Sequence, residues 1–317
     1  MPRRVLISGS IAYDTIMVFE GHFKDHILPD RVHLLNVAFL APRLERNFGG
    51  CAGNIAYTLR ALGGEPVMLA TVGRDGDDYL AHLDELGIDT TTIRRLDDEY
   101  TAQAFITTDL SDNQITAFHP GAMSCAHRVS VKDARAPDRT SDIGIVAPNG
   151  RDAMLQHARE LDEYGIPFLF DPGQGLPMFD GETLRDFITR ASAIAVNDYE
   201  SSLLTRRTGW SEREIAQRVE ALIVTRGAEG SRVYEGDRCT EIEAAAAACA
   251  VDPTGCGDAY RGGLLHARTL GWNWPDAARL GSVLGAIKIE HRGGQNHPID
   301  RDDVARRYEK AYGRQPW

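Results

Sequence analysis

The chain has 317 residues, 43% hydrophobic and 26% charged, an ordinary globular profile with a core large enough to need no metal or disulfide staples. Against 46 acidic residues stand 35 basic ones, and the net charge of −11 disfavours a nucleic-acid binder while leaving room for a local anion site. Five scattered cysteines lack C-x-x-C spacing and no apolar run reads as a signal peptide or membrane span, so a reducing, cytoplasmic setting is expected.

The opening "RVLISGSIAYD" reads as a short apolar strand ending at small residues and an acid. Residues 28–40, "LPDRVHLLNVAFL", alternate in part and predict an extended piece. "GNIAYTLRALGG" places Ile55, Leu59 and Leu62 at helical spacing and stops at Gly63-Gly64. "EPVMLATVG" predicts a strand and "DDYLAHLDELG" a helix. "TAQAFITTD" and "NQITAFHP" are extended runs separated by Leu110-Ser111-Asp112, a hairpin-like break. The extended pieces outside the main body together predict a small sheet.

After residue 140 the strands "DIGIVAP", "IPFLFDPG", "SAIAVND" and "ALIVTRG" alternate with helices such as "RDAMLQHARELDEYG". Nearly continuous apolar strands between helices predict a mostly parallel sheet covered on both faces. "AAAAACA" at 244–250 suits either a helix or a tight strand. The expectation is one α/β domain over residues 1–317, with a small β lid formed by about 14–45 and 99–121.

"VDPTGCGDAY", residues 251–260, is the most informative stretch. A glycine-rich turn running into a helix aims backbone N–H groups and the positive end of the helix dipole at one spot, which favours an anion. Gly255 and Gly257 leave those amides open to a phosphate. Asp258 among them can accept a proton from an attacking hydroxyl, an arrangement for phosphoryl transfer. The same residue also suits a helix cap. There is no G-x-x-x-x-G-K-[ST] and no G-x-G-x-x-G, so neither a P-loop nor a dinucleotide site is supported.

With Asp14 upstream, "NFGGCAGN", "VNDYE", "TRGAEG" and "DPTGCGD" follow in order, and in this register the chain resembles the ribokinase-like (PfkB) carbohydrate kinases from Ser10 to about residue 290. The resemblance implies that Asp258 is the catalytic base and that Gly255, Cys256 and Gly257 form the anion hole. It implies that Asp14, Gly50 and Asn54 bond the sugar hydroxyls. Asn197 and Glu200 resemble an element that organises Mg2+ through water, and Thr225, Gly227 and Gly230 a loop that contacts ATP. A monovalent cation such as K+ is expected near Asp252 and the 290s, and a homodimer through the lid is compatible. For Arg261 a surface ion pair is expected. The Cys256 thiol, beside a helix N-terminus, is expected to be acidic and reactive.

Within the family, "SIAYD", "FHPGAMS" and "FDPGQG" look most like bacterial adenosine and broad-range nucleoside kinases. That similarity implies Phe118 stacked on a nucleobase, Gln174 near it and Ser10 lining the pocket. Two departures fall around the base: Ala104 stands where a second aromatic is expected, with Phe105 one residue off, and Ala38 replaces a lid serine. A one-residue shift in a strand turns a side chain to the other face. The implied activity is ATP-dependent phosphorylation of a ribonucleoside 5′-hydroxyl, in adenosine or a broader range. A sugar kinase and a non-catalytic nucleoside sensor are the alternatives.

Overall fold

The computed structural model describes residues 3–27, 37–111, 113–134 and 142–317. Its elements run β1 (Arg4–Ser8), β2 (Ala12–Val18), β3 (Arg43–Gly49), α1 (Cys51–Ala61), β4 (Glu65–Leu69), β5 (Thr71–Gly73) and α2 (Asp77–Glu85). Then come β6 (Arg94–Leu96), β7 (Ala102–Thr108), β8 (Gln114–His119), α3 (Val131–Ala134), β9 (Ile143–Val146), α4 (Arg151–Glu163), β10 (Phe168–Phe170) and α5 (Gly181–Arg190). The chain continues with β11 (Ala193–Asn197), α6 (Asp198–Thr208), α7 (Glu212–Ala216), β12 (Ala221–Thr225), β13 (Ser231–Glu235) and β14 (Arg238–Ile242). Three helices close it, α8 (Cys256–Thr269), α9 (Trp274–Ile289) and α10 (Arg301–Tyr312).

The eight-stranded central sheet has the order β14-β13-β12-β11-β10-β9-β1-β4. Its strands from β4 to β12 pair in parallel, and β12-β13-β14 turns antiparallel at one edge. Successive side chains on each strand serve opposite cores: Val5 and Ile7 pack with α8 and α9 on one face, Leu6 with α4 and α5 on the other. This two-sided burial is why the strands read as unbroken apolar runs. Among the described residues, no helix is long and apolar enough to cross a membrane.

A second sheet, β3-β2-β7-β8, is the expected lid. Its first outer strand lies elsewhere than the periodicity predicts. Residues 28–36 fall outside the described residues, 37–40 form no strand, and the pairing segment is Arg43–Gly49. That strand, "RLERNFG", is exposed over most of its length, so no apolar alternation marks it. The alanine run at 244–250 is neither helix nor strand. Its backbone is held from outside instead: Ala245 N donates to Ser282 Oγ at 2.9 Å and Ala248 N to Glu290 Oε1 at 2.7 Å. The "EPVMLATVG" stretch divides into β4 and β5, which belong to different sheets.

Candidate active site

The parallel strands end on one side of the sheet, where an open α/β fold gathers its ligands. α8 begins there. Gly255 precedes its first residue with φ +77°, a left-handed conformation that L side chains rarely adopt. A Cβ at Gly255 would also lie 3.2 Å from Gly294 Cα and 3.4 Å from Asn54 Nδ2, so the turn is hemmed in as well as twisted. Asp258 lies in the first turn of α8 but does not cap it. Its Oδ2 accepts from Asn54 Nδ2 at 2.8 Å.

Burial pushes the Asp258 carboxyl up to about 6; donation from Asn54 opposes the shift and the negative Asp171 adds to it. Asp171 follows β10, and sequence reasoning gave it no role although it stands in "FDPGQG" at the end of a strand. Both its oxygens accept from Arg261, Nε at 3.0 Å and Nη2 at 3.2 Å, and both residues are buried. Arg261 is therefore a core cation beside the site, not a surface one. A charged residue on the inward face of an apolar helix was the signal available.

Asn54 is committed at both ends of its amide. Its Oδ1 accepts from Gln295 Nε2 at 3.2 Å, and the same nitrogen donates to Tyr79 Oη at 2.6 Å. Tyr79 Oη donates in turn to Gly49 O at 2.6 Å, while Gln295 Oε1 lies 3.0 Å from His82 Nε2. The His82 ring is stacked on Phe48, with centroids 4.0 Å apart. Asn54 thus joins Asp258 to a buried polar chain reaching β3. Gln295, Tyr79 and His82 lie far off in sequence and carried no local signal.

On the lid, strand register places Asn47, Asp14, Ala104 and Phe118 in one row across the four strands. Side chains directly opposite share a face. Residue 104 therefore faces with Asp14 and Phe118, and Phe105 takes the other face with Thr15 and Ala117. Burial, reinforced by the charge of Asp252, raises the Asp14 carboxyl to about 6. Gly50 holds φ +86° between this strand pair and α1. Ser10 is buried and supports the same junction, its Oγ accepting from Cys51 N at 3.0 Å and its carbonyl from Ala52 N at 2.9 Å.

The residues expected around ATP lie at the ends of β11 and β12. Asn197 and Glu200 form a reciprocal capping box on α6, with bonds of 2.7 and 2.8 Å. Glu200 is more than a cap: burial and the nearby Asp171 both raise its carboxyl. Thr225 ends β12 with its Oγ1 3.3 Å from Val196 O, and Gly227 and Gly230 bracket the following turn. Gln174 is exposed in the turn after β10, and Phe118 is exposed on β8. The Cys256 thiol departs from expectation. Desolvation raises it, the nearby Lys288 opposes that, and the carboxylates of Asp252 and Asp258 add to the rise, so the net direction is opposite to the acidic thiol expected.

The sequence pattern of the pfkB family carbohydrate kinases matches residues 5–301. The nucleoside kinase of Methanocaldococcus jannaschii is 31% identical over 278 residues, covering 87% of this chain and 90% of that protein. The Burkholderia thailandensis nucleoside kinase in complex with inosine superposes with a TM-score of 0.87 at 50% identity, covering 98% of this chain and 99% of that one. The same enzyme in complex with ADP-inosine gives a TM-score of 0.85 at 53% identity, covering 98% and 97%. A ribokinase from Thermotoga maritima shares the fold, with a TM-score of 0.77 at 21% identity, covering 98% of this chain and 100% of that one. A β lid over a doubly covered parallel sheet, a glycine turn opening onto an aspartate, and a match across nearly the whole sequence have one source: the chain belongs to the PfkB family of carbohydrate kinases.

Proposed function

We propose that the chain is an ATP-dependent nucleoside kinase that transfers the γ-phosphate to the 5′-hydroxyl of a ribonucleoside. The observation that carries this reading is Asp258, set at the mouth of α8, held by Asn54 and raised to about 6. Such a carboxylate is ionised at neutral pH yet basic enough to take the hydroxyl proton as oxygen attacks phosphorus. The amides of Gly255 and Gly257 face the transferring phosphoryl group, where positioning and charge stabilisation do most of the work, whereas the Cys256 amide expected beside them already donates to Pro253 O at 3.1 Å and closes the turn. Asp14, with Gly50 beside it and Asn47 opposite it on the lid, bonds the ribose hydroxyls, while Asn54, expected as a further sugar partner, has its amide on Asp258 and Gln295 and orients the catalytic carboxylate instead. The similar Burkholderia enzyme has been seen with inosine and with ADP-inosine, which supports this choice over a sugar kinase.

Magnesium would enter with ATP at the acidic end of the site. Asp171, Glu200 and Asp258 make this end of the site acidic, but both Asp171 oxygens are taken by Arg261 and, among the described residues, no three groups converge as a metal site, so the ion would be carried chiefly by the ATP phosphates and water. Glu200, with Asn197, would hold it through water, and the ion would neutralise the ATP phosphates. Thr225, Gly227 and Gly230 line the nucleotide side, and Gln174 and Ser10 the nucleoside side. The whole chain works as one unit whose small sheet closes as a lid. Leu44, Phe105 and Ile115 are exposed apolar side chains on that sheet, and we read them as the contact of a homodimer. Unpaired thiols suit the cytoplasm.

Phosphorylation assays over adenosine, inosine, guanosine, cytidine and ribose test the reading directly. Several ribonucleosides should be accepted, because a single stacking aromatic tolerates any flat base, while 2′-deoxy analogues should be strongly disfavoured. Turnover of ribose in preference to every nucleoside would favour the sugar kinase. Since residue 104 shares a face with Phe118, Ala104→Phe should lower KM for purine nucleosides relative to cytidine by about 3–10-fold.

The pH profile is a second test. Asp14 and Asp258 both titrate near 6, and each works as a carboxylate, so activity is lost as pH falls through that value. kcat/KM should be flat above neutrality and fall with a slope above one below pH 6. Asp14→Asn should reduce the slope to one. A flat profile down to pH 5 would exclude Asp258 as the base.

A further inference from the structure

The K+ expected near Asp252 and the 290s does not fit, because those carbonyls already hold a cation. Lys288, in the last turn of α9, is fully buried. Its Nζ donates to Asp252 O and to His291 O, each at 2.9 Å. A second positive charge taking the same two oxygens would meet the ammonium at close range.

The surroundings explain why a lysine survives there. The C-terminal end of α9 offers backbone carbonyls and the negative end of the helix dipole. Desolvation lowers the ammonium below its ordinary value, and the neighbouring Cys256, Asp252 and Asp258 oppose that shift. Asp252 is itself tied down, accepting from Thr254 N at 2.9 Å and from Gly293 N at 2.8 Å. Ile289 O accepts from Val251 N at 2.8 Å and from Asp252 N at 3.1 Å. Lys288 is therefore the charged rivet between the 251–254 and 291–293 segments. Its stem also backs the anion-hole turn, since a Cβ at Gly255 would lie 3.7 Å from Lys288 Cε.

We propose that Lys288 is a built-in cation that fixes the anion-hole turn in place of a bound monovalent ion, making it a positioning residue for phosphoryl transfer. The catalytic part rests on the kinase reading; the ion-binding part does not. In consequence the protein is indifferent to which monovalent cation is present, and removing the side chain opens a site for one.

The test uses the full chain, wild type and Lys288→Ala, in KCl, NH4Cl, NaCl and tetramethylammonium chloride at equal ionic strength. Melting temperature without substrates reads ion binding, and steady-state kinetics reads catalysis. The wild type should melt within about 1 °C in all four salts and turn over within about twofold. Lys288→Ala should lose about a hundredfold in kcat with nucleoside KM within about threefold, and K+ or NH4+ should restore at least about tenfold. The same two salts should raise its melting temperature. Wild-type activation by K+ of more than about threefold over Na+, or a K+-specific rise in its melting temperature, overturns the proposal. So does a Lys288→Ala variant with near-normal turnover in Na+. If the variant does not fold, the wild-type comparison decides alone. Absence of phosphorylation with every nucleoside would count against the kinase reading, while the melting comparison would still report on the ion.

Discussion

Asp258→Asn should lower turnover by roughly 10²–10⁴-fold while nucleoside affinity changes by less than about threefold. Asparagine keeps the shape and still accepts from Asn54, but it takes no proton. The same substitution should stabilise the fold at neutral pH. Burial raises the Asp258 carboxyl to about 6, above its value in an unfolded chain, so the folded state loses stability as pH rises through that interval. Asparagine carries no such penalty, and a gain of about 2–5 °C in melting temperature at pH 8, vanishing near pH 4, is the expected mark. Loss of activity with a gain of stability separates a base from a structural residue. Near-normal turnover in Asp258→Asn would remove Asp258 from the mechanism.

Gly49→Ala should be nearly as damaging to the kinase, through a different residue. A Cβ at position 49 would stand 2.3 Å from Asp14 Oδ2, and its backbone is pinned by Tyr79 Oη at 2.6 Å. The carboxylate has to move, and with it the ribose bonds we propose for it. We expect kcat/KM to fall by about 10²-fold, mainly through KM, with the melting temperature within about 3 °C of wild type. Asp14→Ala should cost about the same, and the double variant no more than either alone, because both act on one carboxylate. Multiplicative losses in the double variant would show that Gly49 acts elsewhere.

How far these residues announce themselves in sequence depends on how local their partners are. The turn at 253–258 is legible because its glycines and its aspartate are neighbours along the chain, and a helix start needs no distant support. Strands β9 to β12 are legible because burial on both faces leaves an unbroken apolar run. β3 is not, since as a polar lid strand it takes its place from pairing with β2 rather than from its own pattern. The alanine stretch at 244–250 has strong helix propensity and no helix. Side chains of Ser282 and Glu290 hold its backbone amides instead.

The site divides along the same line. The sequence alone determined the α/β class and the glycine turn, because each rests on periodicity or on residues a few positions apart; it left Asp258 open between a helix cap and a base, and the base reading came from the resemblance of motifs spread along the chain. Only the tertiary structure decided what surrounds them. Asn54 meets Asp258 across 204 positions, Arg261 meets Asp171 across 90, and Gln295 meets Tyr79 across 216. Lys288 was visible as a charge interrupting the apolar run "LGAIKI", but which carbonyls it would satisfy was not. The raised carboxyls of Asp14 and Asp258 belong to this second class as well, because desolvation is a property of the packed interior and has no counterpart in the order of residues along a chain.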